Sequence, residues 1–128
     1  MTVNTKRKGA NFELAVKHAL TDAGWLVVKS SDSKGVADLV AIRKEAGIVR
    51  VLFVEAKGGV RPHLAPGQWN LLWETAGRFG ATPVLADKVR GVRAPRFWRL
   101  IAPKSPGLRG VVQPREPFDI EGWAADAV

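Results

Sequence analysis

No cysteine occurs in the 128 residues, so neither a disulfide nor a cysteine-built zinc site can brace the fold. No apolar run approaches the roughly 20 residues that cross a membrane. Residues 1–11 are polar and basic, without a charged-then-apolar export signal. A soluble intracellular protein with no membrane partner is therefore expected. His63 has no second histidine at ligand spacing, which makes it a loop residue or phosphate contact rather than a metal ligand. A chain of this length suits one domain that can build its own hydrophobic core.

Positive charge is what the chain has in excess: 20 Lys and Arg against 12 Asp and Glu, a net +8. Residues 104–128 hold three basic and four acidic side chains, so the first 103 residues carry +9. A basic body with a slightly acidic tail usually meets a polyanion, most often nucleic acid. The alternative is a soluble protein that merely runs basic.

The stretch Val51–Gly59, VLFVEAKGG, organises the rest. Val51 to Val54 read as a core strand closed by two glycines, but Glu55 and Lys57 interrupt it. With a period of two they share one face, while Leu52, Val54 and Ala56 share the other. Burying either charge alone costs several kcal/mol, roughly, so each needs the other, solvent or a third charge.

Upstream, Lys6–Ala23 reads as an amphipathic helix with a stripe of Phe12, Ala15, Val16, Ala19, Leu20 and Ala23, stopped by Gly24. Glu13 sits at the edge of that stripe, either looking over the core or paired with Lys17 one turn on. Trp25–Lys29 reads as a strand, Ser30–Gly35 as a polar loop, and Val36–Arg43 as a second strand. Asp38 near its start either closes the loop onto the backbone or joins a site. A turn over Lys44–Gly47 makes strands two and three an antiparallel hairpin, which can set Asp38 beside Glu55.

Pro66 starts a second helix with Trp69, Leu72, Trp73 and Ala76 on one stripe, serving the core or a subunit interface, and Gly80 ends it. Pro83–Ala86 and Phe97–Ile101 read as further strands. Lys88, Arg90, Arg93, Arg96 and Arg99, interleaved with Phe97 and Trp98, form either a phosphate-facing edge or a charge-protected strand. From Pro103 onward the pattern predicts a loosely ordered tail with a short amphipathic end at 118–125. The order gives an α/β fold with a central mixed sheet flanked by helices.

Three carboxylates, Glu13, Asp38 and Glu55, can meet Lys57 on one side of such a sheet. Acids that close raise one another's pKa unless a cation joins them, and a site of carboxylates alone suits Mg²⁺. Lys57 would orient the attacking water or meet developing charge.

This set resembles the PD-(D/E)XK nuclease superfamily with its restriction-endonuclease-like fold. More narrowly, Lys8-Gly9-x-x-Phe12-Glu13, Lys29-Ser30-Ser31-Asp32-Ser33, Ala37-Asp38-Leu39-Val40-Ala41, Val54-Glu55-Ala56-Lys57 and Gln68 resemble the archaeal-type Hjc Holliday-junction resolvases. The likeness runs from about Arg7 to Ile101. It implies a homodimeric, Mg²⁺-dependent crossover junction endodeoxyribonuclease, with Mn²⁺ able to substitute, that cuts two opposed strands of a four-way DNA junction. Glu13, Asp38 and Glu55 would hold the metal, Lys57 would serve the water, and Ser33 and Gln68 would support the site. DNA contacts would fall to Lys6, Arg7, Lys8, Lys17, Lys29, Ser31, Lys34, Arg61 and His63. Leu14 stands where many relatives carry a basic residue, which moves one phosphate contact to Lys17 or Lys6. Residues 1–103 would form the nuclease domain, and 104–128 a tail without a family counterpart. The location implied is the cytoplasm, that of a host if the chain is phage-encoded. The alternatives are a nuclease of the same superfamily acting on other branched or linear DNA, and a non-catalytic DNA-binding module.

Overall fold

The computed structural model describes residues 5–30, 37–59, 64–105 and 113–122, with side chains from Asn11 onward in the first of these. Helix α1 (Thr5–Asp22) leads into strands β1 (Leu26–Lys29), β2 (Leu39–Glu45) and β3 (Ile48–Lys57). Helix α2 (Pro66–Arg78) then crosses to β4 (Thr82–Asp87), followed by β5 (Arg96–Leu100) and β6 (Arg115–Pro117). The six strands lie in chain order in one sheet. Only the β3–β4 pair is parallel, because only there does a helix return the chain to the same end.

Both helices stop by the same device. Gly24 (φ +94°) and Gly80 (φ +71°) take the left-handed conformation that side chains resist. The next residue then reaches back five positions: Trp25 N donates to the Leu20 carbonyl at 3.0 Å, and Ala81 N to that of Ala76 at 2.8 Å. Trp25, expected to open β1, thus belongs to the end of α1. The β2–β3 hairpin turns through Ala46 and Gly47, both with positive φ, and pairs Glu45 with Ile48.

Period-two alternation splits the sheet's side chains between two cores. Leu39, Ala41, Leu52, Val54, Val84 and Ala86 pack under Phe12, Val16 and Leu20 of α1. On the opposite face Leu85 and Leu100 pack with Trp69 and Leu72 of α2. Those two α2 residues are fully buried, so core packing accounts for them and they offer no interface.

The expectation of a loosely ordered tail is corrected for the described residues beyond 103. Lys104 is tied to α2 by a pair of hydrogen bonds with Asn70, of 2.7 and 3.0 Å. Strand β6 pairs with β5, and Phe118 is buried in the α1-side core. Beyond it the Ile120 carbonyl accepts from Trp25 Nε1 at 2.8 Å and from Arg43 at 3.0 Å. Prolines and glycines hid this segment from pattern reading, since a three-residue strand carries almost no periodicity. The loop expected at 31–35 and the end of the tail lie outside the described residues.

Candidate active site

The site begins with the β2–β3 register. Leu39 pairs with Val54, so the next step along the hairpin sets Asp38 opposite Glu55. Asp38 is fixed there by the strand itself: the Ala56 N–H donates to its Oδ2 at 2.9 Å. The bond runs to the neighbouring strand and not back into the preceding loop, and it holds the carboxylate beside Glu55. Burial first, then a side-chain hydrogen bond to Asp38 and the Asp38 charge, push the Glu55 carboxyl from 4.5 up to about 8; Lys57 pulls it down, and Glu13 adds the smallest upward push. The raised pKa favours a proton on the Glu55 carboxyl, which lies within hydrogen-bond reach of Asp38.

Glu13 reaches the neighbourhood from the other side of the sheet. A Cβ on Gly58 would come 2.5 Å from Phe12 Cγ, so α1 lies against the end of β3 and carries Glu13 past it. Its partner is Lys29 of β1, at 3.4 Å, rather than Lys17, which is exposed on the helix. Among the described residues no three acidic or histidine side chains form a ready cluster for a metal ion. Asp38 and Glu55 meet, and Glu13 is held off by its lysine. Two facing carboxylates that share a proton nevertheless fit an oxygen-seeking divalent ion. Mg²⁺ commonly takes one or two carboxylates and fills its remaining positions with water and phosphate oxygens.

The other predicted residues divide by position. Lys57 leaves β3 on the Glu55 face, half-buried. Gln68 is exposed in the first turn of α2, and among the described residues no hydrogen bond joins it to the acids. Lys6, Arg7 and Lys8 lie in the first turns of α1, where side chains are not described, and Ser31, Ser33, Lys34, Arg61 and His63 fall outside the described residues.

One charged cluster escaped the sequence reading. Asp87, wholly buried at the end of β4, accepts from Arg96 at 2.9 and 2.8 Å and from Trp98 Nε1 at 3.1 Å. Arg115 of β6 stands 3.9 Å from the same carboxylate and stacks 4.1 Å over the Trp98 ring. Burial, with Arg96 adding like charge, lowers the Arg115 pKa, and Asp87 opposes the shift. An acid ending an apolar strand was the available signal, the same one that marks Glu55.

A mixed sheet with helices on both faces, presenting an acid pair and a lysine at the ends of its inner strands, is a restriction-endonuclease-like fold. The profile of the family described as archaeal Holliday junction resolvase (hjc) matches residues 4–108, and the chain belongs to that family. Crossover junction endodeoxyribonuclease Hjc of Methanocaldococcus jannaschii is 34% identical over 85 residues, which are 66% of this chain and 62% of that protein. The match thus spans less than two thirds of that relative. The solved structure of Archaeoglobus fulgidus Hjc, a Holliday junction resolvase from an archaeal hyperthermophile, is similar with TM-score 0.55 and 26% identity over 70% of each chain. No helix among the described residues is long and apolar enough to cross a membrane.

Proposed function

We infer that this chain is a Mg²⁺-dependent endonuclease that resolves four-way DNA junctions by paired phosphodiester hydrolysis, with Mn²⁺ able to replace Mg²⁺. The observation that carries the reading is the Asp38–Glu55 pair, two acids forced together at the end of a buried hairpin with Lys57 on the same face. A bound divalent ion would supply a lowered water pKa and an electrostatic sink for phosphoryl charge. Asp38 and Glu55 would hold that ion, and the Ala56 N–H fixes Asp38 beside Glu55. Lys57 orients the attacking water and meets charge building on the phosphate oxygens. Glu13 completes the site on release from Lys29, a partly exposed pair worth little in itself. Ser33 and Gln68 support the site, and the basic residues of α1 and the neighbouring loops hold the DNA backbone.

A four-way junction offers two symmetry-related cuts, which a two-fold homodimer matches with one active site each. Leu71 and Phe79, exposed on and just after α2, leave that helix apolar surface for the contact. The family to which the chain belongs favours a junction over linear DNA as substrate.

Nicking of a four-way junction and of linear duplex of equal sequence in Mg²⁺ tests this. Preferential cutting of the junction is expected, lost by about 10²–10³-fold or more in Asp38→Asn while junction binding survives. Equal cutting of both substrates removes the resolvase reading. Undiminished cutting by Asp38→Asn removes the catalytic assignment.

A further inference from the structure

Eight residues, 88–95, join β4 to β5 and leave the sheet at the end where the acid pair sits. Lys57 and Asp87 are register partners, so Lys88 begins about 4.8 Å, one strand spacing, from the end of β3. The loop carries Lys88, Arg90 and Arg93, all exposed, and no acid. Among the described residues none of the three has an acidic partner, because Asp87, the acid nearest to them in sequence, is committed to Arg96 and Arg115.

The loop is also shaped. Val92 N donates to the Val89 carbonyl at 3.0 Å, and Gly91 takes φ +81°, which makes a tight turn at the tip. Its base is closed by the register pair Asp87–Arg96 and braced by Trp98 and Arg115. Arg115 lies beyond residue 108, where the family match ends, so this brace belongs to the chain's own C-terminal segment. A loop charged only to keep a sheet edge soluble needs neither a fixed turn nor a buried base.

We propose that the Lys88–Arg93 turn is a phosphate-binding finger that grips the backbone of the duplex arm next to the scissile phosphate. This rests on the reading of the chain as a DNA-cleaving enzyme. The three cations contact phosphates without reading bases, so they set affinity and the position of the arm rather than sequence preference.

The test is equilibrium binding of the full chain to a four-way junction over a salt series, without divalent ion. The parent is compared with the triple variant Lys88→Ser, Arg90→Ser, Arg93→Ser. The variant is expected to lose at least about tenfold in affinity near 100 mM salt, and its log–log salt slope to shrink by up to about 2.7 per bound subunit, some 0.9 for each phosphate contact. If the triple variant melts below the parent, Arg90→Ser and Arg93→Ser singly are each expected to reduce the slope by about 0.9 per bound subunit. Parent-like affinity and slope in these variants overturns the finger and leaves the nuclease reading standing. A parent that neither binds nor cuts junction DNA overturns that reading, and the finger with it.

Discussion

Glu55 and Asp87 leave adjacent parallel strands on the same face, two rows apart, and their surroundings are opposite. Asp87 is the more deeply buried, yet every demand of its charge is met by a two-pronged guanidinium, a second arginine and an indole N–H. Glu55 is only half-buried, but its immediate partner is another acid. The lesson is that burial alone does not separate a structural carboxylate from a reactive one. The separation comes from whether the protein itself supplies the opposite charge: Asp87 has two arginines beside it, whereas the nearest neighbour of Glu55 is a second acid.

The contrast is broken most sharply by parallel amide substitutions. Asp87→Asn removes a buried charge from two arginines and is expected to cost about 3 kcal/mol in chemical denaturation. Asp38→Asn removes the acid whose hydrogen bond and charge push the Glu55 carboxyl up, and keeps an oxygen for the Ala56 N–H, so the metal-free protein should be no less stable. A large loss in Asp38→Asn and none in Asp87→Asn would reverse the assignment of the two sites.

A second measurement concerns pH. The Glu55 carboxyl titrates near 4.5 in the unfolded chain and is pushed up to about 8 in the folded one. Between these values the folded state holds a proton that the unfolded state has lost. Stability without metal is therefore highest at the acid side of that window and falls as pH rises through it. Thermal unfolding from pH 5 to 8.5 in chelator should show this decline, and Glu55→Gln should flatten it. Mg²⁺ binding should release a proton near neutrality, read by calorimetry in two buffers of different ionisation enthalpy.

The smallest effect belongs to the pair of exposed Lys29 and partly buried Glu13. Lys29→Met should change stability by less than about 1 kcal/mol in denaturant titration, since such pairs are largely screened. A larger loss would make Lys29 a structural anchor instead of a counter-ion that Glu13 can leave.

Much of the inner sheet was legible in the sequence because short-range chemistry determines it. The turn within Lys44–Gly47 and the alternation of Leu52, Val54 and Ala56 against Glu55 and Lys57 allow Asp38 to fall across from Glu55, and the register Leu39–Val54 fixes it there. Contacts set by distant chain could not be read the same way. Glu13 finds Lys29 across a helix end and a strand, whereas helix spacing favours Lys17. Asp87 drew no reading, since its partners lie 9 and 28 positions further on. Phe118 joins a core built from residues between Phe12 and Ala86, a placement that its own short segment does not reveal.

The bare Cα of Gly58 carries a mechanical implication. Because it sits flush against the Phe12 ring, the helix and the lysine-bearing strand are keyed to each other at that point. One added methyl group would press on that ring and lever the helix outward, so a single carbon there would shift Glu13, an acid it never touches, while every charged side chain stays intact.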